Sequence, residues 1–347
     1  MNFDCPIPLS FGDTDRILLG HGSGGRLSHR LIRDIFYPAF GNSLLAQDHD
    51  GCVFPVEKGR LACSTDSFVV NPIFFAGGNI GDLAVNGTVN DLACCGAKPL
   101  YLTTGFILEE GLPLSDLQKI VFSMREAAEK SGVQIIAGDT KVVERGKCDR
   151  IFINTSGIGV VPEGVEIRPQ KADMGDVVIC SGEIGVHGIT ILSARESLGF
   201  ETNLKSDTAA LNHVINHLLQ EIPDIHVLRD PTRGGVATTL NEIAGAANVE
   251  ITLDEASLPI PETVRAASEI LGLEPLYIAN EGLVLIILPE NQADKSLSIL
   301  RQFPESKNAK VIGKVGAKGN AQVRLKTLYG NHRIISMLSG DQLPRIC

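Results

Sequence analysis

The chain has no tryptophan, no Cys-x-x-Cys pair, no basic stripe and no long apolar run. The missing Cys-x-x-Cys spacing removes zinc-ribbon and thioredoxin-like readings. The longest apolar run, residues 283–288, is far short of the roughly 20 residues that cross a bilayer. The opening MNFDCPIPLS lacks a basic segment and an apolar core, so no secretory signal is expected. The formal net charge of -10 argues against a phosphate backbone or an anionic membrane as partner. Nucleic acid and membrane are therefore not expected, and a cytoplasmic location is. The cysteines (Cys5, Cys52, Cys63, Cys94, Cys95, Cys148, Cys180 and Cys347) are then expected as free thiols, most of them small buried hydrophobes.

What is present is an ordinary globular mixture, 44% hydrophobic and 21% charged over 347 residues. That composition supports a packed core, and the length favours two domains. Helices are predicted over residues 26–37, 82–94, 114–131, 188–198, 208–222, 235–247, 262–271 and 293–302, with clear hydrophobic periodicity at 114–131. Strands are predicted over 60–70, 101–108, 134–137, 150–161, 176–180, 226–228, 250–253, 282–288, 311–315 and 322–326. A turn-rich stretch, 162–175, separates the halves. The mixture reads as α+β, each sheet mixed or antiparallel with helices on one face. Residues 88–93 (TVNDLA) echo 239–244 (TLNEIA), which a distant duplication would explain.

Several segments carry chemistry. Gly20-His21-Gly22-Ser23-Gly24-Gly25 formally matches Gly-x-Gly-x-x-Gly ahead of a helix. Its glycines would let backbone N–H groups approach an anion, but the run before it is thin for a dinucleotide-binding strand. Arg229-Asp230-Pro231-Thr232-Arg233-Gly234-Gly235 runs into a helix, where Arg233 and the helix start could hold a phosphate. Asp50, Asp66, Asp91 and Asp139 are isolated aspartates, two of them at predicted strand ends and Asp91 on a helix. Converging, they would suit Mg²⁺, which takes hard oxygen ligands and shares itself with phosphates. Singly, each is a cap or turn residue. Lys141 and Glu281 flank apolar strands; a charge there is either an active-site group or a strand-edge charge in water. The chain ends Pro344-Arg345-Ile346-Cys347. A terminal thiol adds nothing to a core, and chain ends are usually mobile, so Cys347 could carry a covalent cargo.

Together these segments resemble the hydrogenase maturation factors of the HypE family, carbamoyl dehydratases in the aminoimidazole ribonucleotide synthetase-like (PurM-like) superfamily. The resemblance covers essentially the whole chain. It rests on the glycine cluster, Ser64-Thr65-Asp66-Ser67, residues 79–91 (NIGDLAVNGTVND), Gly138-Asp139-Thr140-Lys141, Asp230 to Gly235, Asn280-Glu281-Gly282 and the Pro-Arg-Ile-Cys ending. It implies an N-terminal arm with the glycine-rich loop (1–50) and an ATP-binding and dimerising domain (51–163). A C-terminal α+β domain (164–335) and a mobile tail carrying Cys347 (336–347) follow. It implies ATP held with Gly22, Gly24, Gly25, Asn90, Thr232, Arg233 and Gly234. Mg²⁺ would sit on Asp50, Asp66, Asp91 and Asp139, with Asp48 an alternative to Asp50. Glu281 and Lys141 are the implied candidates for the base, beside Cys347 as carrier. Implied partners are a second copy of the chain, the carbamoyltransferase HypF and the HypC–HypD scaffold. The implied reaction turns a carbamoyl group on Cys347 into a thiocyanate, the source of the cyanide ligand of [NiFe]-hydrogenase iron. Four other readings stand beside it, one of them a thiamine-phosphate kinase, which would not need the cysteine tail. A selenophosphate synthetase would need a lysine near Cys5, and none precedes Lys58. A bare thiol carrier would have no ATP turnover. A nicotinamide oxidoreductase would need a parallel βαβ unit around the glycine cluster.

Overall fold

The structure, a computed structural model, describes residues 15–22, 26–45, 59–195 and 203–338. The first half comprises α1 (Arg26–Leu31), α2 (Tyr37–Phe40), β1 (Arg60–Phe68), β2 (Phe74–Phe75), β3 (Gly78–Asn79), α3 (Ile80–Cys94), β4 (Lys98–Glu109), α4 (Leu114–Ser131), β5 (Gln134–Val143) and β6 (Ile151–Val161). β1, β6, β4 and β5 form one sheet in that order, antiparallel except for the β4/β5 pair. Burial alternates along β1, β4 and β6. On β4, Leu102, Thr104, Phe106 and Leu108 point to the helices, while Thr103, Gly105 and Ile107 point away. The amphipathic α4 buries Leu117, Ile120, Val121 and Met124 in the same core.

α3 is different. Apolar and small residues surround a line of Asp82, Asn86 and Asn90, and even that line is largely covered, so the helix is buried almost all round. Asn79 caps it, accepting from the Gly81 N–H, while Asp82 reaches back to the Asn79 N–H. Leu83 and Val85 join the core under the first sheet, whereas Ala93 and Cys94 pack into a core of the second half. The helix is thus the spine between the halves, and Asn86, Asn90 and Asp91 ride on it.

The second half comprises β7 (Asp176–Cys180), α5 (Val186–Ser193), α6 (Asn212–Glu221), β8 (Val227–Arg229), α7 (Gly235–Ala247), β9 (Val249–Asp254), α8 (Glu262–Leu271), β10 (Leu285–Pro289), α9 (Ala293–Leu300), β11 (Lys310–Lys318), β12 (Gln322–Lys326) and β13 (His332–Ile335). Its seven strands run in the order β13-β12-β9-β11-β7-β10-β8, with only β12 and β9 parallel. The α+β architecture stands as the sequence implied. One detail differs: helices cover both faces of this sheet, where one face was expected. Val178, Cys180, Leu285 and Ile287 pack against α7. Val177, Ile179, Ile286 and Leu288 pack against α6 and α9. Unbroken apolar runs at β7 and β10 are the reason, since a strand covered on both faces has no polar side to show.

α6 also starts later than predicted, at Asn212 instead of residue 208. Side chains of α3 take the backbone before it. The Asn90 amide donates to the Ala209 carbonyl and accepts from the Leu211 N–H, and Asn86 donates to the Thr208 hydroxyl. The echoing segments 88–93 and 239–244 both lie in helices, α3 and α7.

Candidate active site

The two halves meet over α3, and a cleft opens there. β1 contributes Ser64 and Asp66, and α3 contributes Asp91. The Ser64 hydroxyl donates to Asp91 Oδ2 at 2.6 Å. The loop from β8 to α7 brings Arg229, Asp230, Thr232 and Arg233, and Asp91 and Asp230 lie close enough to perturb each other. A cavity of about 370 Å³ is lined by Ser64, Asp91, Arg229, Asp230 and Thr232. The loop makes a tight entry to α7, with Gly234 at φ 75° and Gly235 at φ 59°. A Cβ on Gly235 would stand 2.5 Å from the Leu276 carbonyl oxygen, so only glycine fits.

The turn before β10 closes the cleft. Asn280 anchors it: its amide donates to the Pro231 carbonyl and accepts from the Gly185 N–H. Glu281 follows, 4% exposed, with Oε1 unpartnered among the described residues. The reading of Glu281 as a strand-edge charge in water is thereby excluded.

The electrostatics follow from crowding carboxylates around few cations. Burial pushes the Glu281 carboxyl well above the usual carboxylate range, and Asp207, Asp230, Asp66 and Asp91 add to it. Asp230 keeps some solvent access at the cleft mouth, yet its carboxyl lies deep among protein atoms. Burial and then Asp91 push it up to about 7. Burial also raises Asp66 and Asp91, partly offset by the Ser67 N–H at Asp66, the Ser64 hydroxyl at Asp91, and Arg233 at both. The cleft therefore holds protons that a bound cation or a loss of neighbouring negative charge would release.

The other expected site residues lie elsewhere. Asp139 and Lys141 sit on β5, at the opposite edge from β1. Three strand spacings of nearly 5 Å put about 14 Å between those edges. Both side chains are exposed and pair with each other at 3.0 Å, which holds the Asp139 carboxyl below its usual range. With Gly22 they line a separate cavity of about 210 Å³. Within one chain, then, Asp139 does not join Asp66 and Asp91, and Lys141 does not face Glu281. Asn90, expected on the nucleotide, is 1% exposed and its amide is already used: besides Ala209 and Leu211 it donates to the Glu281 carbonyl. Gly24, Gly25, Asp48, Asp50 and Cys347 lie outside the described residues.

Among the described residues, no three or more His, Cys, Asp or Glu side chains are arranged to hold a metal ion. Gly20 and Gly22 occupy a short turn ahead of α1 with no sheet strand before it among the described residues, which give the dinucleotide-binding reading no support. Sequence reasoning missed Asp207, and it placed Asp230 in a phosphate-holding loop without giving its carboxylate a role. Asp207 precedes a predicted helix and carried no signal beyond that. Asp230 had one, its place beside two arginines in a glycine-ended loop.

Two family models match in succession: AIR synthase related protein, N-terminal domain, over residues 48–161, and its C-terminal domain over 173–326. The carbamoyl dehydratase HypE of Cupriavidus necator is 49% identical over 348 aligned residues, covering 100% of this chain and 98% of that protein. The chain belongs to the HypE family. A crystal structure of HypE in complex with ATP superposes with a TM-score of 0.91 at 50% identity, covering 95% of this chain and 99% of that one. HypE in a crystal structure of a HypE–HypF complex superposes with a TM-score of 0.78 at 48% identity, covering 89% and 99%.

Proposed function

We propose that this chain is an ATP-dependent carbamoyl dehydratase that converts a carbamoyl group on Cys347 into a thiocyanate. The observation that carries the reading is the cleft: Glu281, with one carboxyl oxygen unpartnered, stands among Asp66, Asp91 and Asp230 beside Arg233 and the glycine entry to α7. Such a place suits a phosphoryl donor and a proton acceptor together.

The chemistry explains why both are needed. A thiocarbamate, S–C(=O)–NH₂, must lose its oxygen and two N–H protons to become S–C≡N. Its oxygen is a poor leaving group. Transfer of the terminal phosphoryl group of ATP to that oxygen, with loss of one N–H proton, gives an S–C(–O–phosphate)=NH group. Expulsion of phosphate and loss of the second proton then complete the nitrile. Glu281 receives a proton. Its raised pKa makes it the stronger base once it is ionised. Arg233 and the N–H groups at the start of α7 face the phosphates.

The hard oxygen donors of Asp66 and Asp91, each raised in pKa chiefly by burial, fit Mg²⁺. When bound, the ion would screen the charge of the phosphates. The open face of the first sheet supports a homodimer, with Leu61 58% and Ile107 42% exposed. Pairing through it would let Asp139 and Lys141 of a second copy complete the cleft. HypF, found in complex with a related HypE, would load Cys347, and the HypC–HypD scaffold would take the cyano group for hydrogenase iron. No helix among the described residues is long and apolar enough to cross a membrane, and Cys63, Cys94, Cys95, Cys148 and Cys180 are free thiols. The free thiols fit a reducing cytoplasm.

ATP turnover tests the reading. Carbamoylated protein should hydrolyse one ATP per nitrile formed, and Asp91→Asn should lose turnover. Turnover equal with and without the carbamoyl group would contradict it, and a bare carrier would show none.

A further inference from the structure

Glu281 is held by an element outside the turn that carries it. Residues 206–209 run as an extended strap between α5 and α6, fixed from several sides. The Ser206 N–H donates to the Ala76 carbonyl, and the Ser206 hydroxyl bonds His187 Nδ1 at 2.8 Å. Asn86 and Asn90 of α3 bind Thr208 and Ala209. From this strap Asp207 reaches forward. Its two carboxylate oxygens lie 3.2 and 3.3 Å from the Glu281 backbone nitrogen, which donates to both, and the Gly282 N–H lies close by. The approach is close enough that a Cβ on Gly282 would stand 1.7 Å from the Asp207 carbonyl oxygen. A carboxylate whose two oxygens share the Glu281 N–H fixes that peptide, and with it the direction of the Glu281 side chain.

We propose that Asp207 is a positioning residue for the dehydration step: it clamps the Glu281–Gly282 backbone from the strap and so fixes the Glu281 carboxyl towards the reacting nitrogen. The proposal rests on the reading of Glu281 as base. It also gives Asp207 an electrostatic hand. The charged groups facing Glu281 are Asp207, Asp230, Asp66 and Asp91, and Asp207 leads them. Asp207 is itself pushed up to about 6, chiefly by burial. Removing its charge should let Glu281 ionise at lower pH.

The test uses full-length protein carbamoylated on Cys347 and follows nitrile formation at saturating MgATP across pH. Asp207→Asn should slow the maximal rate roughly tenfold and move the acid limb of the profile down by about one pH unit, with the KM for ATP within about twofold. Asp207→Glu, which keeps the charge, should leave the limb near its original position. Asp207→Ser is the alternative neutral variant should Asp207→Asn not fold, and ATP binding by calorimetry identifies folded protein. A neutral variant that loses stability or rate without moving the limb would overturn the proposal, as would a changed KM for ATP at unchanged rate. Glu281→Gln separates the two ideas. If it is inactive while the limb of Asp207→Asn stays put, the positioning role alone fails. If it turns over at the original rate, the base reading fails and takes the proposal with it.

Discussion

The first sheet shows one bare face and the second shows none. On β1 and β4 alternate residues such as Leu61, Cys63, Thr65 and Ile107 stay exposed or half-buried while their neighbours pack on helices. On β7 every residue is buried, and on β10 all but Pro289 are. Both sheets are mostly antiparallel, so strand direction does not explain the contrast. The helices do: α3 and α4 lie on one side of the first sheet, whereas α7 opposes α6 and α9 across the second. A sheet closed on both sides is a core. A sheet open on one side is a surface whose apolar residues await a partner, and here it lies next to the edge that carries Asp139 and Lys141.

The largest effect expected from this contrast is at Ile286, fully buried in the second sheet. Ile286→Asp places a carboxylate between two layers of helix without a partner, a loss of about 4–5 kcal/mol or more. Circular dichroism should show no cooperative unfolding transition. Next in size is Glu281→Gln in the cleft between the sheets. Nitrile formation should fall by roughly 10²–10⁴-fold with ATP binding retained. Ile107→Asp, the matching charge on the open face, should be mild for the fold, within about 0.5 kcal/mol. It should halve the sedimenting mass and lower ATP turnover, since Asp139 of a second copy would be lost. A mass unchanged by Ile107→Asp would remove the open face as the dimer surface.

The smallest effect is on stability against pH. Asp82 and Asp207 are raised from 3.8 to about 6 and Asp230 to about 7. A carboxyl whose pKa is raised by folding binds its proton more tightly when folded. Its contribution is complete below the unfolded value and is lost as pH rises through the folded one. The nucleotide-free protein should therefore melt a few degrees lower at pH 8 than near pH 5. A melting temperature that rises over that interval would contradict the cleft electrostatics.

The contrast also explains what the sequence could tell. Strands β1, β4 and β6 were legible as segments between turn signals, and β10 as an apolar run, because a strand covered on both faces has no polar side to show. The run at β10 did not say what covers it, hence the expectation of helices on one face. Asp66, Asp91 and Glu281 were legible because short motifs put a carboxylate at a strand end, on a helix of small residues and in a turn. Asp139 looks the same in sequence, a carboxylate on a strand. Strand order separates it from the others, and order is a property of long-range pairing that no local motif carries. Asp207 was invisible for a related reason. Its role comes from an extended strap that asparagines of α3 hold open against the local preference for helix.

The most direct test of the central claim is intact mass spectrometry of the C-terminal peptide after incubation with carbamoyl phosphate, ATP and the carbamoyltransferase. A carbamoyl adduct should appear on Cys347 and then lose one water only when ATP can be used, and Cys347→Ala should show neither change while still binding ATP. An adduct on another residue, or loss of water independent of ATP, would contradict the account.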